Sequence, residues 1–222
     1  MIEWIIFALI GILAGLSSGL LGLGGGIIIV PSLIAVFSWQ GLVETQIIHM
    51  AIGTSLMTII ITSLSSIYAH HQHQQVDWEI VGRLAPGLII GGGSGAFLAI
   101  LLTGDILQKS FAVYVFVVVV LMWYQSPPSI DERLLKKPVL LAVGTLVGAL
   151  SALLGIGGGS FTVPYLVMAK QRVSNAVGTA SACGVIISIS AVIGFVIFSS
   201  THPAVDEEIL IHWQAFHRDY KY

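Results

Sequence analysis

The chain has 222 residues, of which 56% are hydrophobic and only 9% are charged, and its mean hydropathy is +0.96. Soluble domains carry about a quarter charged residues, so this composition excludes a water-soluble globule and predicts a polytopic membrane protein. The formal net charge is −2 and no run of Lys or Arg occurs, which argues against nucleic acid as a partner. Cys183 is the one cysteine, so no disulfide can form within the chain.

Long uncharged segments follow one another along the sequence and predict an all-α membrane protein. A helix needs about 20 apolar residues to cross the hydrocarbon core of a bilayer. Two segments, 4–38 and 138–169, are too long for one straight crossing and are predicted as broken helices. Single spans are predicted over residues 47–69, 82–103, 108–124 and 173–199.

Each of the two broken segments contains a glycine cluster that is followed by a proline. Glycine tolerates the backbone conformations that interrupt a helix, and proline removes a backbone donor just beyond the interruption. The two clusters with their prolines are Gly22, Gly24, Gly25, Gly26 and Pro31 in the first segment and Gly155, Gly157, Gly158, Gly159 and Pro164 in the second.

The two glycine segments are also copies of one another. Gly22 aligns with Gly155 and Pro31 with Pro164, and a second match aligns Gly53 with Gly178. Such self-similarity indicates an internal duplication. The predicted organisation is a first repeat at 1–125, a cytoplasmic linker at 126–137, an incomplete second repeat at 138–199 and a polar tail at 200–222.

The positions of the cations decide between two paths for the glycine segments. If each segment crosses the membrane once, the cations divide almost evenly between the two sides. If each folds back as a hairpin, all of them except Lys109 share one side. The positive-inside rule favours the hairpin, with the N-terminus outside and the two repeats inverted. The cations compared are Arg83, Lys109, Arg133, Lys136, Lys137, Lys170 and Arg172; those of the tail, Arg218 and Lys221, would lie on the side of Lys109.

Two helix breaks in corresponding positions of inverted repeats point to a substrate site. In transporters, half-helix N-termini near the membrane midplane hold anionic groups. The clusters can instead be packing surfaces, as the spacing of Gly11 and Gly15 and of Gly144 and Gly148 is expected to be. Besides the glycines and prolines of the clusters, the candidate substrate ligands are His49, Gly53, Thr54, Ser55, Gly178, Thr179 and Ser181.

Some of these candidates also have a plain structural interpretation. Ser and Thr hydroxyls in membrane helices often bond the carbonyl four residues earlier, and His49 can be a solvated side chain at the interface. The spacing of His70, His71 and His73 suits no single helical face, so a polar loop is favoured there over a metal site. The sequence predicts no metal and no cofactor.

The sequence also argues against two other classes of membrane protein. It contains no central Ser/His/Asp set and no paired carboxylates, so no catalytic residue is assigned and the chain is not predicted to be an enzyme. No Asp or Glu lies inside a predicted span, which argues against a proton pump built on a buried carboxylate. The partners predicted are the lipid bilayer and a small anion, and homo-oligomerisation stays open.

The doubled glycine motif, together with the segment from His49 to Ser55, resembles the sulfite exporter TauE/SafE family. This resemblance implies a multi-pass secondary transporter of the plasma membrane that exports small anions, such as sulfite, sulfonates or sulfoacetate, by alternating access. Members usually continue with two further membrane helices beyond the equivalent of Ser199, where this chain turns polar. The chain is therefore expected to lack those helices, and a non-transporting scaffold or truncated remnant is the alternative.

Overall fold

The computed structural model describes residues 2–21, 25–41, 44–123, 136–169 and 171–199, which form eight α-helices and no strand. The prediction of an all-helical protein is confirmed. Gly22, Gly24, the tail 200–222 and most of the linker 126–137 lie outside the described residues. The helices are α1 (Ile2–Leu21), α2 (Gly26–Trp39), α3 (Glu44–Gln72), α4 (Trp78–Leu101), α5 (Gly104–Trp123), α6 (Lys137–Leu154), α7 (Gly159–Met168) and α8 (Val173–Ser199).

Four of these helices are long and apolar enough to cross a bilayer. Large apolar side chains cover their outer surface, with Ile61 73% exposed and Val196 66% exposed. Such a surface is favourable against lipid and unfavourable against water. The four segments are Ile47–Gln72, Trp78–Leu101, Lys137–Leu154 and Val173–Phe198.

Helices α4 and α6 make the closest packing in the bundle. A Cβ added to Gly91 of α4 would lie 2.2 Å from the carbonyl oxygen of Thr145, so the two backbones touch directly. Gly144 and Gly148 of α6 pack against α4 in the same way, which confirms the predicted small-residue packing of this pair. For Gly11 and Gly15 no described atom lies within 4 Å of the Cβ position, so the same expectation is not supported in α1.

Helices α6 and α8 both run parallel to α4. Along α6, the Cβ position of Gly144 lies 2.8 Å from the Leu84 carbonyl oxygen, and that of Gly148 lies 2.8 Å from the Leu88 carbonyl oxygen. Along α8, Gly178 meets the turn before α4, at Gln75, and Gly194 meets the far part of α4. Because α6 and α8 start at the same end of the bundle, the segment between them must bring the chain back. This is the folded-back path predicted for the second glycine segment.

The cations of the described residues follow this geometry. Arg83, Lys136, Lys137 and Arg172 lie at or near the starts of α4, α6 and α8, at one end of the bundle. Lys109 lies in α5, which begins where α4 ends, and is therefore at the opposite end. The distribution matches the one that the hairpin interpretation requires.

Glycines in left-handed conformation separate the paired helices. Gly155 (φ 68°) ends α6, and Ile156 N–H donates to the Ser151 carbonyl at 2.8 Å. Gly158 (φ 71°) and Gly25 (φ 62°) occupy the N-cap positions of α7 and α2. Residues with a Cβ rarely adopt these angles, which explains why glycine is needed there.

The prolines have a smaller part in the breaks than expected. Pro31 and Pro164 lie inside α2 and α7 and are exposed. Both helices continue through them, so the glycines alone make the interruptions.

Candidate functional site

The two glycine clusters meet in the interior of the bundle. A Cβ added to Gly26 would lie 2.5 Å from the carbonyl oxygen of Gly155 and 2.8 Å from the Cα of Ile156. Gly25, Gly26 and residues 155–159 are all buried. Two backbones can approach so closely only where no side chain intervenes. Helix breaks that are far apart in the sequence therefore form one contact, which we call the glycine contact (Gly25, Gly26 and residues 155–159).

Helix α3 supports the glycine contact through one of the predicted residues. The Ser55 hydroxyl donates to the Gly155 carbonyl at 2.8 Å, and Ser55 is fully buried. One turn earlier, the Cα of Ile52 lies 3.0 Å from the Cβ position of Gly155. Ser55 thus fixes a carbonyl group that the left-handed turn leaves outside the regular helix.

The first turn of α7 opens onto the glycine contact. The first N–H groups of a helix have no partner within the helix, and those of Gly159 and Ser160 belong to this set. The Tyr114 hydroxyl of α5 donates to the hydroxyl of Ser160, and both residues are buried. The Tyr114 ring also packs on Phe161, with 4.9 Å between ring centroids. Helix α5 is thereby tied to the N-terminus of α7.

Helix α8 passes the other side of the second break. A Cβ added to Gly184 would lie 2.8 Å from the carbonyl oxygen of Gly157 and 3.1 Å from the Ser63 hydroxyl. In the three helices that meet at this break, three buried hydroxyls have no hydrogen-bond partner among the described residues. These are Ser151, Thr162 and Ser188.

Three predicted residues of α8 bind other parts of the bundle. The Thr179 hydroxyl accepts a hydrogen bond from the backbone N–H of Asp77 at 3.0 Å. Gly178 packs against Gln75, whose carbonyl oxygen would lie 2.6 Å from a Cβ. The Ser181 hydroxyl donates to the Val177 carbonyl at 3.0 Å and lies 2.8 Å from the Ser66 hydroxyl. These contacts join α8 to α3 and to the turn before α4, and they do not reach the glycine contact.

Gly53 and Thr54 also lie apart from the glycine contact. No described atom is within 4 Å of a Cβ at Gly53. Thr54 is exposed and lines a cavity of about 310 Å³ between α1, α2 and α3. The other residues around this cavity are mostly apolar, so it is poorly suited to an anion. They are Phe7, Ile10, Gly11, Ile29, Leu33, Phe37 and Thr58.

His49 lies at the end of α4 opposite to the cation-rich end. Its Nε2 is 3.0 Å from the Ala99 carbonyl and 3.2 Å from the Leu102 carbonyl. Carbonyl oxygens can only accept, so Nε2 carries a proton and donates to both. Because the last carbonyl groups of a helix have no partner within the helix, His49 satisfies the end of α4.

We expect replacement of His49 with alanine to affect stability and to leave anion transport unchanged. The free energy of unfolding should fall by about 1–2 kcal/mol, because two partly buried carbonyl groups lose their donor. His49→Gln keeps an N–H donor and should retain most of the stability. Thermal unfolding and anion uptake measured on both variants test this. A loss of uptake in His49→Gln with normal stability would instead assign His49 to the anion site.

The electrostatics of the glycine contact come from backbone dipoles. The uncharged segments 4–43, 45–76, 84–104, 138–169 and 173–205 contain no Asp, Glu, Lys or Arg. Helix termini therefore set the potential at this site: the N-termini of α2 and α7 contribute about half a positive elementary charge each, and the C-terminus of α6 at Gly155 contributes a negative potential of similar size.

The histidine cluster next to α4 forms a polar turn. His70 Nδ1 is 2.7 Å from the side-chain oxygen of Gln75, and Trp78 Nε1–H donates to His71 Nδ1 at 3.3 Å. No group of three or more His, Cys, Asp or Glu that could hold a metal ion occurs within the described part of the chain.

The comparisons with known proteins agree with the predicted family. The sequence matches the model of the family described as Sulfite exporter TauE/SafE over residues 7–213. A probable membrane transporter protein of Haemophilus influenzae is 31% identical over 204 residues, which cover 90% of this chain and 76% of the relative. A probable membrane transporter protein of Methanocaldococcus jannaschii is 29% identical over 191 residues, which cover 84% of this chain and 70% of the relative. The probable membrane transporter protein YunE of Bacillus subtilis is 31% identical over 191 residues, which cover 75% of this chain and 68% of the relative.

No solved structure matches the chain. The family match and the named relatives confirm the predicted class, a membrane transporter and not an enzyme. With its apolar helices, the chain belongs to the sulfite exporter TauE/SafE family of multi-pass membrane transporters.

Proposed function

We propose that the chain is a secondary transporter that moves small sulfur-containing anions, such as sulfite or sulfonates, out of the cell across the plasma membrane. The observation that carries this proposal is the glycine contact, in which the N-terminus of α2 packs on the second helix break, from which α7 begins, in a buried region without charged side chains. Helix N-termini bind anions through free N–H groups and the helix dipole. The description of the family, sulfite exporter, supports the same substrate class.

The arrangement suits transport better than tight, permanent binding. The described charged side chains lie near helix ends, and the glycine contact contains none. Backbone dipoles attract an anion without the strong pairing that an Arg or Lys would make. A site of this kind can release its ligand, which a carrier must do in every cycle.

Alternating access is the mechanism that we propose. Gly25 and Gly158 both have a positive φ, of 62° and 71°, at corresponding positions of the aligned segments. Helix α2 belongs to the first predicted repeat and α7 to the second, so a movement of one repeat against the other would open the glycine contact. The end that carries Arg83, Lys136, Lys137 and Arg172 faces the cytoplasm under the positive-inside rule.

Flux measurements on the purified full chain in proteoliposomes test this function. Uptake of sulfite and of methanesulfonate should exceed that of protein-free liposomes and should saturate with concentration. Sulfite uptake should also be inhibited by methanesulfonate, since both anions use one site. Failure of every sulfur anion to cross in any oligomeric state of the chain would favour a membrane scaffold instead.

A further inference from the structure

We infer that the hydroxyls of Ser151, Thr162 and Ser188 form, with the N-terminus of α7, a subsite that binds the oxygens of a singly charged sulfur oxyanion, hydrogensulfite or a sulfonate. This inference rests on the proposed function and specifies both the ligand groups and the charge of the substrate. It concerns residues outside the predicted set of ligands.

The three hydroxyls come from three helices that meet at the second glycine break. The Ser151 hydroxyl lies 3.4 Å from the Cβ position of Gly158, the N-cap residue of α7. The backbone N–H of Thr162 donates to the Gly158 carbonyl at 2.9 Å, which places Thr162 in the first turn of that helix. Ser188 lies in α8, which reaches the same break through Ile187, whose Cδ1 lies 2.4 Å from the Cβ position of Gly158.

These side chains are buried and have no partner within the described residues. Ser151 and Ser188 are 0% exposed and Thr162 is 3% exposed. Buried hydroxyls are nearly always hydrogen-bonded, because leaving one unpaired in an apolar region is unfavourable. Three such groups in the helices that meet at one break, with the Ser151 hydroxyl beside the N-cap residue of α7, indicate donors that serve a ligand.

The charge of the ligand follows from the sources of positive potential. The positive potential comes from helix N-termini, about half an elementary charge each and opposed by the C-terminus of α6, and residues 138–169 contain no Lys or Arg. The cost of burying an ion rises steeply with its charge. A site with so little positive potential therefore favours a monoanion over the doubly charged forms of sulfate and sulfite.

Removal of each hydroxyl tests the ligand groups. The variants are Ser151→Ala, Thr162→Val and Ser188→Ala, and the probe is methanesulfonate binding to the solubilised full chain. Each variant should bind about tenfold more weakly, as expected for one lost hydrogen bond to an anion. The Tm without ligand should stay constant or rise, since an unpaired buried hydroxyl has been removed.

Matched substitutions provide the control. The hydroxyls of Ser190 and Thr145 bond to the carbonyl groups of Ile187 and Leu141, at 2.9 Å each. Ser190→Ala and Thr145→Val should therefore bind methanesulfonate like the wild type. Unchanged binding in all three test variants, or weaker binding accompanied by a lower Tm, would overturn the subsite and leave the transport function standing.

The pH dependence of uptake tests the charge of the substrate. Hydrogensulfite loses its proton near neutral pH, whereas methanesulfonate stays singly charged throughout that range. Sulfite uptake should therefore increase as the pH falls, relative to methanesulfonate uptake at the same pH, and sulfate should not compete. Competition by sulfate as strong as that of methanesulfonate would overturn the monoanion assignment. Failure of the wild type to carry either sulfur anion would overturn the proposed function as well.

Discussion

Replacement of Gly26 with alanine should abolish anion transport and leave the bundle folded. Gly26 already has a helical backbone at the start of α2, so alanine introduces no backbone strain there. Its methyl group would lie 2.5 Å from the Gly155 carbonyl oxygen, and the two glycine clusters would have to separate. We expect methanesulfonate uptake to fall at least about tenfold, because overpacking of about 1–3 kcal/mol displaces the N-terminus of α2 from the second helix break.

Gly53→Ala is the control for this prediction. Gly53 belongs to the predicted ligand set and also lies within a helix, but no described atom is within 4 Å of its Cβ position. Gly53→Ala should therefore take up methanesulfonate at the wild-type rate. Normal uptake in Gly26→Ala, or an equal loss in both variants, would show that the glycine contact has no special part in transport.

Replacement of Gly91 with alanine should strongly destabilise the protein. The added Cβ would lie 2.2 Å from the Thr145 carbonyl oxygen and 2.8 Å from the Ala149 nitrogen. Both are backbone atoms of α6 and cannot rotate away, so α4 and α6 must move apart along their whole contact. We expect the free energy of unfolding to fall by about 3 kcal/mol, measured by thermal unfolding in detergent.

Gly93→Ala separates this packing effect from the general effect of a glycine substitution. Gly93 lies in the same helix, and no described atom is within 4 Å of its Cβ position. Alanine has a higher helix propensity than glycine by about 1 kcal/mol, so this variant should be as stable as the wild type or slightly more stable. Equal Tm values for the Gly91 and Gly93 variants would contradict the close packing of α4 and α6.

The features predicted correctly depend on local chemistry. The position of the second break follows from Gly155 and Gly158, whose left-handed conformations no other residue adopts easily. Its folded-back path follows from the positions of Lys136 and Arg172, because charges cannot remain in the hydrocarbon region. Both arguments use the residue itself and its immediate surroundings.

The partners of individual side chains could not be predicted in this way. Ser55 and Thr179 occupy neighbouring places in the aligned motifs, yet Ser55 bonds to the second glycine break and Thr179 to the turn before α4. Their partners lie about a hundred residues away and are fixed only by the packing of α3 and α8. His49 is similar, since its role depends on where α4 ends in space.

The hydroxyls of the second break were missed for a related reason. A Ser in an apolar helix usually bonds to its own backbone, so Ser188 carries no signal in the sequence. Ser151 does carry one, because it aligns with Ser18 next to the first glycine cluster. A serine retained beside both breaks is a feature that sequence reasoning could have used.

The location of a bound anion tests the central claim most directly. Hydrogenselenite resembles hydrogensulfite in shape and charge, and its selenium atom can be located by anomalous diffraction from crystals of the full chain. The claim predicts a selenium peak at the glycine contact, in contact with Gly26, Gly158 and Ser160. A peak at the polar turn beside His70 and His73, with none at the glycine contact, would contradict it.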